Sequence, residues 1–378
     1  MRILHVVEVS IGGVISVINA YAQWQASAGH DVHVLAPAEA EILAGSRHEW
    51  QPRRRAPHRF PGDIRTLRQT VSLVQPDVVH LHSFFPGLLG RILPTGGSPR
   101  PAVVYQPHSW TFDAAPTPFG RHLAGAWERV AARRSDGVIV NCRDEGDEGT
   151  SHGVTVPIHP VGVPVDTAVF RPASPTERET ARHEFGLSER SVLLCVGRIA
   201  RQKGQDRLVA EWARDPIPDS VLVLLGAGDP EHVERLAGPE WGRSVLAPGA
   251  VSDVRAWLHA CDLVVAPSRW EGQAVAVAEA LSCGRAVVAT QVNGAREAIE
   301  DGPQPAAGVV VGQNDMTAFV AACRQRLADP ALLAQETAVA RSRAEQMFAR
   351  DEVMLKVTAA YQAALTSARP DSVTEPGR

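Results

Sequence analysis

The sequence predicts an α/β protein built from two doubly wound, Rossmann-like domains. Short runs of β-branched and aliphatic residues alternate with longer amphipathic stretches, a pattern typical of parallel sheets covered by helices on both faces. A segment rich in proline and glycine, residues 157–175, separates two series of this kind. The chain has 378 residues, of which 44% are hydrophobic. It is therefore long enough to fill two cores rather than one.

The first series predicts a sheet that opens with a strand, a glycine loop and a helix. The pair Gly12-Gly13 follows the first strand and predicts the start of a helix that ends near Gly29. A second strand follows at once, which completes one strand–helix–strand unit. The strands predicted in this half are 3–7, 31–36, 78–81, 103–106 and 137–141.

The second series predicts another sheet of the same kind, with strands at 191–196, 220–225, 244–247, 262–266, 286–290 and 308–311. Residues 331–365 have the composition of a helix. We place the first domain at 1–165, a linker at 166–175 and the second domain at 176–350, with a last helix, about 351–368, packing back on the first domain. Two open α/β domains predict a ligand cleft between the carboxyl ends of their strands.

The composition excludes several classes of protein. The net charge is −4 and 21% of residues are charged, so the basic excess typical of nucleic-acid binding is missing. The five cysteines are scattered and lack metal-type spacing. No apolar run reaches the roughly 18 residues that a membrane span needs. We expect a cytoplasmic protein with no nucleic-acid partner and at most a peripheral contact with a membrane.

Lysine is the rarest cation in the chain. Only Lys203 and Lys356 occur, because arginine takes nearly every other basic position. Lys203 follows a predicted strand, five residues after Arg198, in the segment Gly197–Gly204. An ammonium and a guanidinium in one such loop could both reach a diphosphate, although a solvated loop is an equal alternative from these residues alone.

A second cluster follows the strand predicted at 262–266. The residues after Gly272 are apolar and rich in alanine, which predicts a buried helix that ends at Gly284. Glu271 is expected at the start of this helix and Glu279 about two turns further on. Their spacing alone is close to chance, but a buried glutamate needs a hydrogen-bonding partner, and a ribose diol offers two hydroxyls.

Together these motifs resemble the retaining family-four glycosyltransferases, also called glycosyl transferases group 1, which have the GT-B fold. The resemblance extends over nearly the whole chain. It rests on the glycine pair, the Arg198–Lys203 loop and the 271–279 segment, and on further matches at Gly162, Asp166, Phe170, Pro172, Gly226, Gly228, Gly249, Asp253, Gly294 and Glu297.

The resemblance implies a role for each matching residue. Arg198 and Lys203 would neutralise the diphosphate of a nucleotide-sugar donor as its glycosidic bond breaks. Glu279 would hold the ribose, Glu271 would face the transferred sugar, and His108 would contact that sugar near the reacting centre. A loop histidine bonded to backbone is the alternative for His108. The expected donor-binding residues are Gly12, Gly13, Gly197, Arg198, Lys203, Glu271, Gly272, Gln273, Ala274 and Glu279.

Three positions are not settled by the resemblance. Where the family commonly has an aromatic residue and then glycine, this chain has Gln273 and Ala274, which leaves the donor sugar open. His82 either lines the acceptor side or has a structural role.

A basic stretch in the first domain is open to two interpretations. It contains Arg53, Arg54, Arg55, His58 and Arg59, followed by Arg65 and Arg68. The first interpretation is a solvated loop and helix face. The second is peripheral attraction to an anionic membrane or to a lipid-linked acceptor.

We therefore expect a retaining, metal-independent hexosyltransferase-like enzyme that needs no cofactor beyond its nucleotide-sugar donor. The acceptor is a saccharide, a lipid-linked sugar or a small molecule. An epimerase or hydrolase of the same architecture is the alternative, and a non-catalytic nucleotide-sugar-binding protein is a further one. The sequence leaves open the base and sugar of the donor, the linkage, the oligomeric state, and the choice between same-face attack and a covalent intermediate.

Overall fold

The computed structural model describes residues 1–52, 60–92, 100–115 and 117–369. The chain forms two compact units. Unit 1 comprises Met1–Pro164 and Arg350–Arg378, and unit 2 comprises Val165–Ala349. Residues 166–175, the expected linker, lie within unit 2, and the chain returns to unit 1 at its last helix.

The elements follow one another as alternating strands and helices. Residues 1–164 contain β1 (Arg2–Val6), α1 (Gly13–Ser27), β2 (Asp31–Ala36), β3 (Ser46–Glu49), α2 (Phe60–Val74), β4 (Val78–His82), α3 (Phe84–Ile92), β5 (Ala102–Gln106), α4 (Pro118–Ala132), β6 (Gly137–Val140), α5 (Arg143–Ser151) and β7 (Ile158–Pro160). The remaining chain contains α6 (Pro175–Glu184), β8 (Ser191–Val196), α7 (Gln205–Arg214), β9 (Ser220–Leu225), α8 (Glu231–Ala237), β10 (Val245–Gly249), α9 (Arg255–Ala260), β11 (Leu263–Ala266), α10 (Val275–Ser282), β12 (Val287–Thr290), α11 (Ala295–Ile299), β13 (Gly308–Val311), α12 (Met316–Ala328), α13 (Pro330–Phe348) and α14 (Arg350–Ala368). Short 3₁₀ helices lie at Arg201–Lys203 and Gly238–Glu240.

Unit 1 holds a parallel sheet in the order β3-β2-β1-β4-β5-β6-β7. The five predicted strands are confirmed, with ends that differ by at most one residue. The two outer strands, β3 and β7, were not predicted. Strand β3 reads Ser-Arg-His-Glu and β7 has three residues that end in proline, so neither shows the apolar run that predicts a buried strand.

The two faces of this sheet differ in polarity, because alternate residues of a strand point to opposite faces. One face packs an apolar core that includes Leu4, Val6, Val79, Leu81, Val103 and Tyr105. The other face carries His5 of β1, His80 and His82 of β4, and Gln106 of β5, all buried. His5 lies in register with His80, and His82 with Gln106. Hydrogen bonds from α1 and α14 reach this polar face.

Unit 2 holds a parallel sheet in the order β10-β9-β8-β11-β12-β13. All six predicted strands are confirmed, three of them with the predicted ends. Its core includes Leu193, Leu222, Val265, Val288 and Trp212.

Both sheets change winding direction once. In unit 1 the change falls between β1 and β4, and in unit 2 between β8 and β11. Ligands of doubly wound proteins bind at such switch points, at the carboxyl ends of the strands. The loops after these four strands are therefore the candidate ligand-binding loops.

The predicted helix over 331–365 is two helices in the structure. Ala349 separates α13 from α14 with an extended backbone, φ −53° and ψ 123°. Trp24 of α1 donates a hydrogen bond to Asp351 at 2.9 Å, and α14 packs along β5 and β6 of unit 1. Among the described helices, none combines the length and apolarity required to cross a membrane.

Candidate active site

The switch point of unit 2 brings the two predicted donor loops together. One loop follows β8 and contains Arg198 and Lys203, and the other follows β11 and contains Glu271. The amide of Arg269 donates to the carbonyl of Gln202 at 2.7 Å, and Gln202 donates through Nε2 to the carbonyl of Trp270 at 3.1 Å. The loops are therefore joined by one bond between backbone groups and one from the Gln202 side chain to a backbone carbonyl.

Gly204 allows this close approach. Its φ is +70°, and a Cβ atom there would stand 2.0 Å from the carbonyl oxygen of Pro267 in the neighbouring loop. Any side chain would push the two loops apart. Gly204 also precedes α7, whose Asp206 forms an ion pair with Arg269 at 2.7 Å. The glycine next to Lys203 is thus required by packing between the loops.

Lys203 and Glu271, which lie 68 residues apart in sequence, form an ion pair. The Lys203 Nζ lies 2.6 Å from Glu271 Oε1, and the side chains are 22% and 8% exposed. Ser268 donates through its hydroxyl to the same carboxylate oxygen at 2.7 Å. Gln202 donates to the other oxygen, Oε2, at 3.4 Å. The carboxylate is therefore held in place, and its Oε2 is the more weakly bonded oxygen.

Arg198 differs from Lys203 in its surroundings. Its side chain is exposed, and it makes no ion pair with any residue in the described part of the chain. The backbone is nevertheless fixed, because Gln205 Nε2 donates to the carbonyls of Gly197 at 3.3 Å and Arg198 at 2.9 Å. This loop therefore presents a guanidinium whose donors remain available to an anion.

The position of Glu271 relative to the helix was predicted wrongly. Helix α10 begins at Val275 and its N-cap is Ala274, so Glu271 and Gly272 lie in the loop before it. The buried Gln273 is turned toward α11, where its Nε2 donates to the carbonyl of Gly294 at 3.3 Å. A Cβ atom at Gly294 would stand 2.3 Å from Gln273 Oε1. Gln273 thus secures the loop against α11, whereas Ala274 is partly exposed.

Glu279 lies within α10, as predicted, and its side chain is partly exposed. Its carboxyl group makes no hydrogen bond to a described residue. Burial raises the pKa of Glu279 to about 8, and the negative charge of Asp253 acts in the same direction. At neutral pH this group is therefore largely a neutral carboxylic acid, which can both donate and accept a hydrogen bond.

The switch point of unit 1 contains the glycine loop. Gly12 and Gly13 are exposed, and Gly12 is the N-cap of α1 with φ +94°. A residue with a side chain is strained in that conformation. The loop therefore starts α1 as the sequence predicts.

His108 lies in a strained loop after β5. It has φ +56°, and the next residue, Ser109, has φ +109°. Residues other than glycine seldom adopt such angles, and they cluster at functional sites when the surroundings hold them. Here the amide of Ser109 donates to Glu145 Oε1 at 2.7 Å. Burial lowers the pKa of His108 to about 3.

His82 is fully buried behind His108, which fits the structural alternative for this residue. Its Nδ1 lies 2.9 Å from Nε2 of His108, and its Nε2 lies 2.9 Å from Nδ1 of His5. The sequence prediction missed His5 and His80. The available signal was His80-Leu81-His82, two polar residues on one face of a buried strand, which require partners inside the fold.

Three of these histidines meet the geometric condition for a metal site. In the described part of the chain, ligand atoms of His5, His80 and His82 lie within 4.8 Å of one another. All four ring nitrogens of His5 and His82 already take part in hydrogen bonds. An ion would have to replace the bond between these two rings, so hydrogen bonding accounts for the cluster.

The remaining predicted residues are those of the basic stretch in the first domain. Arg53, Arg54, Arg55, His58 and Arg59 fall outside the described residues. Arg65 and Arg68 are exposed on α2.

The fold and these loops define a class of proteins with two Rossmann-like domains, one of which presents cations and carboxylates at its switch point. Comparison with known proteins identifies the family. The model "Glycosyltransferase Family 4" matches residues 11–169 and "Glycosyl transferases group 1" matches residues 190–329.

Individual relatives and a solved structure are consistent with this family. The D-inositol 3-phosphate glycosyltransferase of Xylanimonas cellulosilytica is 31% identical over 315 residues, which cover 78% of this chain and 73% of that protein. The lipopolysaccharide core biosynthesis mannosyltransferase LpsB of Rhizobium meliloti is 26% identical over 367 residues, covering 93% and 94%. HepE of Anabaena, solved with UDP and glucose, superposes with a TM-score of 0.81 at 19% identity, covering 96% and 99%.

The chain therefore belongs to the group 1, family-four glycosyltransferases and has the GT-B fold. It is an enzyme that transfers a sugar.

Proposed function

We propose that the enzyme takes its sugar from a nucleoside-diphosphate sugar held by unit 2. The acceptor is a saccharide, a lipid-linked sugar or a small molecule bound by unit 1. Transfer retains the anomeric configuration and needs neither a metal ion nor a cofactor. The observation that carries this proposal is the exposed Arg198 beside the ion-paired Lys203, both after β8 at the switch point. The complex of HepE with UDP and glucose supports it.

Arg198 and Lys203 stabilise the leaving group. When the bond between the anomeric carbon and the diphosphate oxygen breaks, negative charge grows on the diphosphate. A guanidinium presents several donors in a fixed plane, and an ammonium acts as a compact point charge. Together they supply the positive charge that a divalent ion provides in other transferases.

Glu271 and the diphosphate can share Lys203. An ammonium group has three donors, and Glu271 Oε1 occupies one of them at 2.6 Å. Two donors remain for phosphate oxygens. The other carboxylate oxygen, Oε2, accepts at 3.4 Å from Gln202 as its one side-chain partner among the residues that the structure describes, so it is available to a sugar hydroxyl. One ion pair then links the position of the leaving group to the position of the sugar.

Glu279 binds the ribose. A carboxylic acid that stays neutral near pH 7 offers one donor and one acceptor, which matches a pair of neighbouring hydroxyls. Its position in α10, within the buried segment that follows Glu271, supports this role. Gly197, Gly272, Gln273 and Ala274 form the backbone around the donor.

In unit 1 we assign His108 to contact with the transferred sugar and Gly12 and Gly13 to close backbone approach to it. The strained conformation of His108 supports a functional role. Peripheral membrane contact through the basic stretch that begins at Arg53 remains a proposal, supported by the exposed Arg65 and Arg68 of α2.

A donor screen followed by product analysis tests this function. UDP-, GDP- and ADP-sugars are first ranked by the rise in Tm that they cause, since a ligand of the folded state stabilises it. The best donor is then incubated with an acceptor panel, with and without EDTA, and the product anomer is read by NMR. We expect the donor's own anomeric configuration in the product and an unchanged rate with EDTA. Arg198→Ala, at an exposed position, is the control and should show a smaller Tm rise.

Other outcomes contradict specific parts of the proposal. An inverted anomer refutes retention, and a loss of rate with EDTA refutes metal independence. Free sugar or an epimer formed at a catalytic rate from donor alone identifies a hydrolase or epimerase. A donor that binds without any turnover identifies a non-catalytic binding protein.

A further inference from the structure

We propose that a buried chain of hydrogen bonds from Gln25 through His5 and His82 fixes His108 as the tautomer protonated on Nε2. His108 then presents an unprotonated Nδ1, a hydrogen-bond acceptor, to the sugar. The inference rests on the proposed function for the contact between His108 and the sugar. His82, His5 and Gln25 act through His108 and are positioning residues.

The chain is continuous between α1 and the loop after β5. His108 Nε2 lies 2.9 Å from His82 Nδ1, and His82 Nε2 lies 2.9 Å from His5 Nδ1. His5 Nε2 lies 2.8 Å from Gln25 Oε1. The side chains of His5, His82 and Gln25 are at most 1% exposed, so water does not replace any of these partners.

The direction of every hydrogen bond follows from Gln25. An amide oxygen only accepts, so His5 carries its proton on Nε2 and accepts through Nδ1. His82 must then donate from its Nε2 to His5 and accept through its own Nδ1. The same reasoning places the proton of His108 on Nε2.

A second branch of the network determines the orientation of the Gln25 amide, which hydrogen bonding must assign. Gln25 Nε2 donates to the Tyr361 hydroxyl at 3.4 Å, and that hydroxyl lies 2.7 Å from His80 Nδ1. His80 then carries its proton on Nε2. In the described part of the chain, His80 Nε2 and Gln106 Oε1 are both buried without a hydrogen-bond partner.

The four imidazoles are neutral, as the network requires. Burial lowers the pKa of His5 to about 4 and that of His108 to about 3. Burial also lowers the pKa values of His80 and His82, and the neighbouring imidazoles add to this effect. Each ring therefore has one donor and one acceptor, and a tautomer set at Gln25 extends to His108.

Packing prevents the central ring from turning. The rings of His80 and His82 are tilted by 33° with centroids 3.9 Å apart, and His82 stacks on His108 with centroids 5.2 Å apart. His108 Nδ1 makes no hydrogen bond to a residue in the described ranges, and the residue is partly exposed. The imidazole of His108 is thus held by His82 through Nε2, and its Nδ1 is available to a ligand.

Two substitutions of His82 separate this role from packing. The amide of asparagine overlaps the Nδ1 region of histidine, and the amide of glutamine overlaps the Nε2 region. His82→Asn therefore keeps the bond to His108 and loses the bond to His5, whereas His82→Gln does the reverse. We expect kcat to fall roughly tenfold or more in His82→Gln and clearly less in His82→Asn, because a misplaced catalytic contact costs rate rather than affinity. The donor KM should change little in both.

Imidazole ¹⁵N shifts measured on histidine-labelled protein give a readout that does not depend on turnover. The His108 signals are assigned by their loss in His108→Gln. We expect an unprotonated Nδ1 and a protonated Nε2 in the wild type, and a mixture of tautomers in His82→Gln. A wild-type His108 protonated on Nδ1 would overturn the proposal even if both His82 variants failed to fold. Equal kcat losses that follow Tm in both variants would assign His82 to packing alone.

The two kinds of failure are distinguishable. If the wild type shows no transfer from any nucleotide sugar, the proposed function fails, while the NMR measurement still decides the tautomer. If transfer occurs and the tautomer is wrong, only the hydrogen-bonded chain is refuted.

Discussion

The switch points of the two units have the same topology, but the side chains described there differ in charge and in burial. In unit 2, the loops after β8 and β11 contain an exposed guanidinium, Arg198, and a partly buried ion pair, Lys203 with Glu271. In unit 1, strands β1 and β4 carry His5, His80 and His82, which are fully buried. Burial keeps these imidazoles uncharged. The sheet of unit 2 has charged side chains in the loops after its central strands. The sheet of unit 1 has a buried chain of hydrogen-bonded histidines on its central strands.

The difference indicates that the fold supplies the location and the side chains supply the chemistry. The diphosphate that we propose would require accessible positive charge, and Arg198 is exposed. The tautomer that we propose for His108 would be disturbed by water, and the histidines behind it are buried. Two results would remove this difference between the units. Either the charged side chains of unit 2 would prove dispensable for transfer, or charge would matter equally in unit 1.

The largest effect is expected from the two cations of unit 2. Arg198→Ala and Lys203→Ala should each lower kcat by roughly 10²–10³-fold, by analogy with loss of one charge-stabilising donor. Their effects on stability should differ. Arg198 is exposed and forms no ion pair with a described residue, so its loss should change the free energy of unfolding by less than about 0.5 kcal/mol. Lys203→Ala leaves Glu271 buried without its cation and should lower Tm clearly.

Steady-state kinetics and thermal unfolding of both variants check this prediction. Lys203→Ala combined with Glu271→Gln is the matched control, because it removes the stranded carboxylate. It should recover Tm without recovering kcat. Near-normal turnover in either single variant would remove that cation from the mechanism.

Much of this fold was predictable because buried parallel strands have a clear signature. Segments such as 191–196, 220–225 and 308–311 are continuous apolar runs bounded by turns, and the structure has the strands at those residues. The edge strand β3 lacks that signature, since its residues are mostly polar and exposed. Sequence pattern therefore predicts apolar strands, including the edge strands β10 and β13, and misses the polar edge strand β3 and the three-residue edge strand β7.

The candidate site was predictable in its residues and less so in its contacts. Lys203 stood out because lysine is rare in the chain, but its bond to Glu271 joins residues 68 positions apart. The histidine chain depends on Tyr361, which lies 336 positions from its partner Gln25. Periodicity and spacing carry information over a few turns of helix or strand. Contacts over hundreds of residues depend on how the elements pack.

An intermediate effect on stability is expected at Glu279. Like the buried histidines of unit 1, this group of unit 2 is largely uncharged near neutral pH. Its pKa rises to about 8 on folding. Between its unfolded pKa near 4.5 and pH 8, the unfolded chain loses this proton and the folded chain keeps it. Stability from this group therefore falls as the pH rises through that window.

Replacing Glu279 by glutamine should abolish this loss. We expect Glu279→Gln to exceed wild type by about 2 kcal/mol at pH 8 and by about zero near pH 4. This is less than the full shift at about 1.4 kcal/mol per pKa unit, because part of the side chain reaches solvent. Urea unfolding at five pH values measures the difference. Glu189→Gln, at an exposed position, is the control for loss of a surface carboxyl group. A constant difference for Glu279→Gln would mean that its carboxyl ionises normally.

The smallest effect concerns two exposed arginines on helix α2 of unit 1, Arg65 and Arg68. If that face attracts an anionic membrane, Arg65→Ala and Arg68→Ala should each weaken vesicle binding by about 1 kcal/mol, or roughly fivefold. Co-sedimentation with vesicles that contain or lack phosphatidylglycerol measures this. Arg235→Ala, on the exposed helix α8 of unit 2, is the matched control and should bind as the wild type does. Equal binding to neutral and anionic vesicles would leave Arg65 and Arg68 as solvated surface charges.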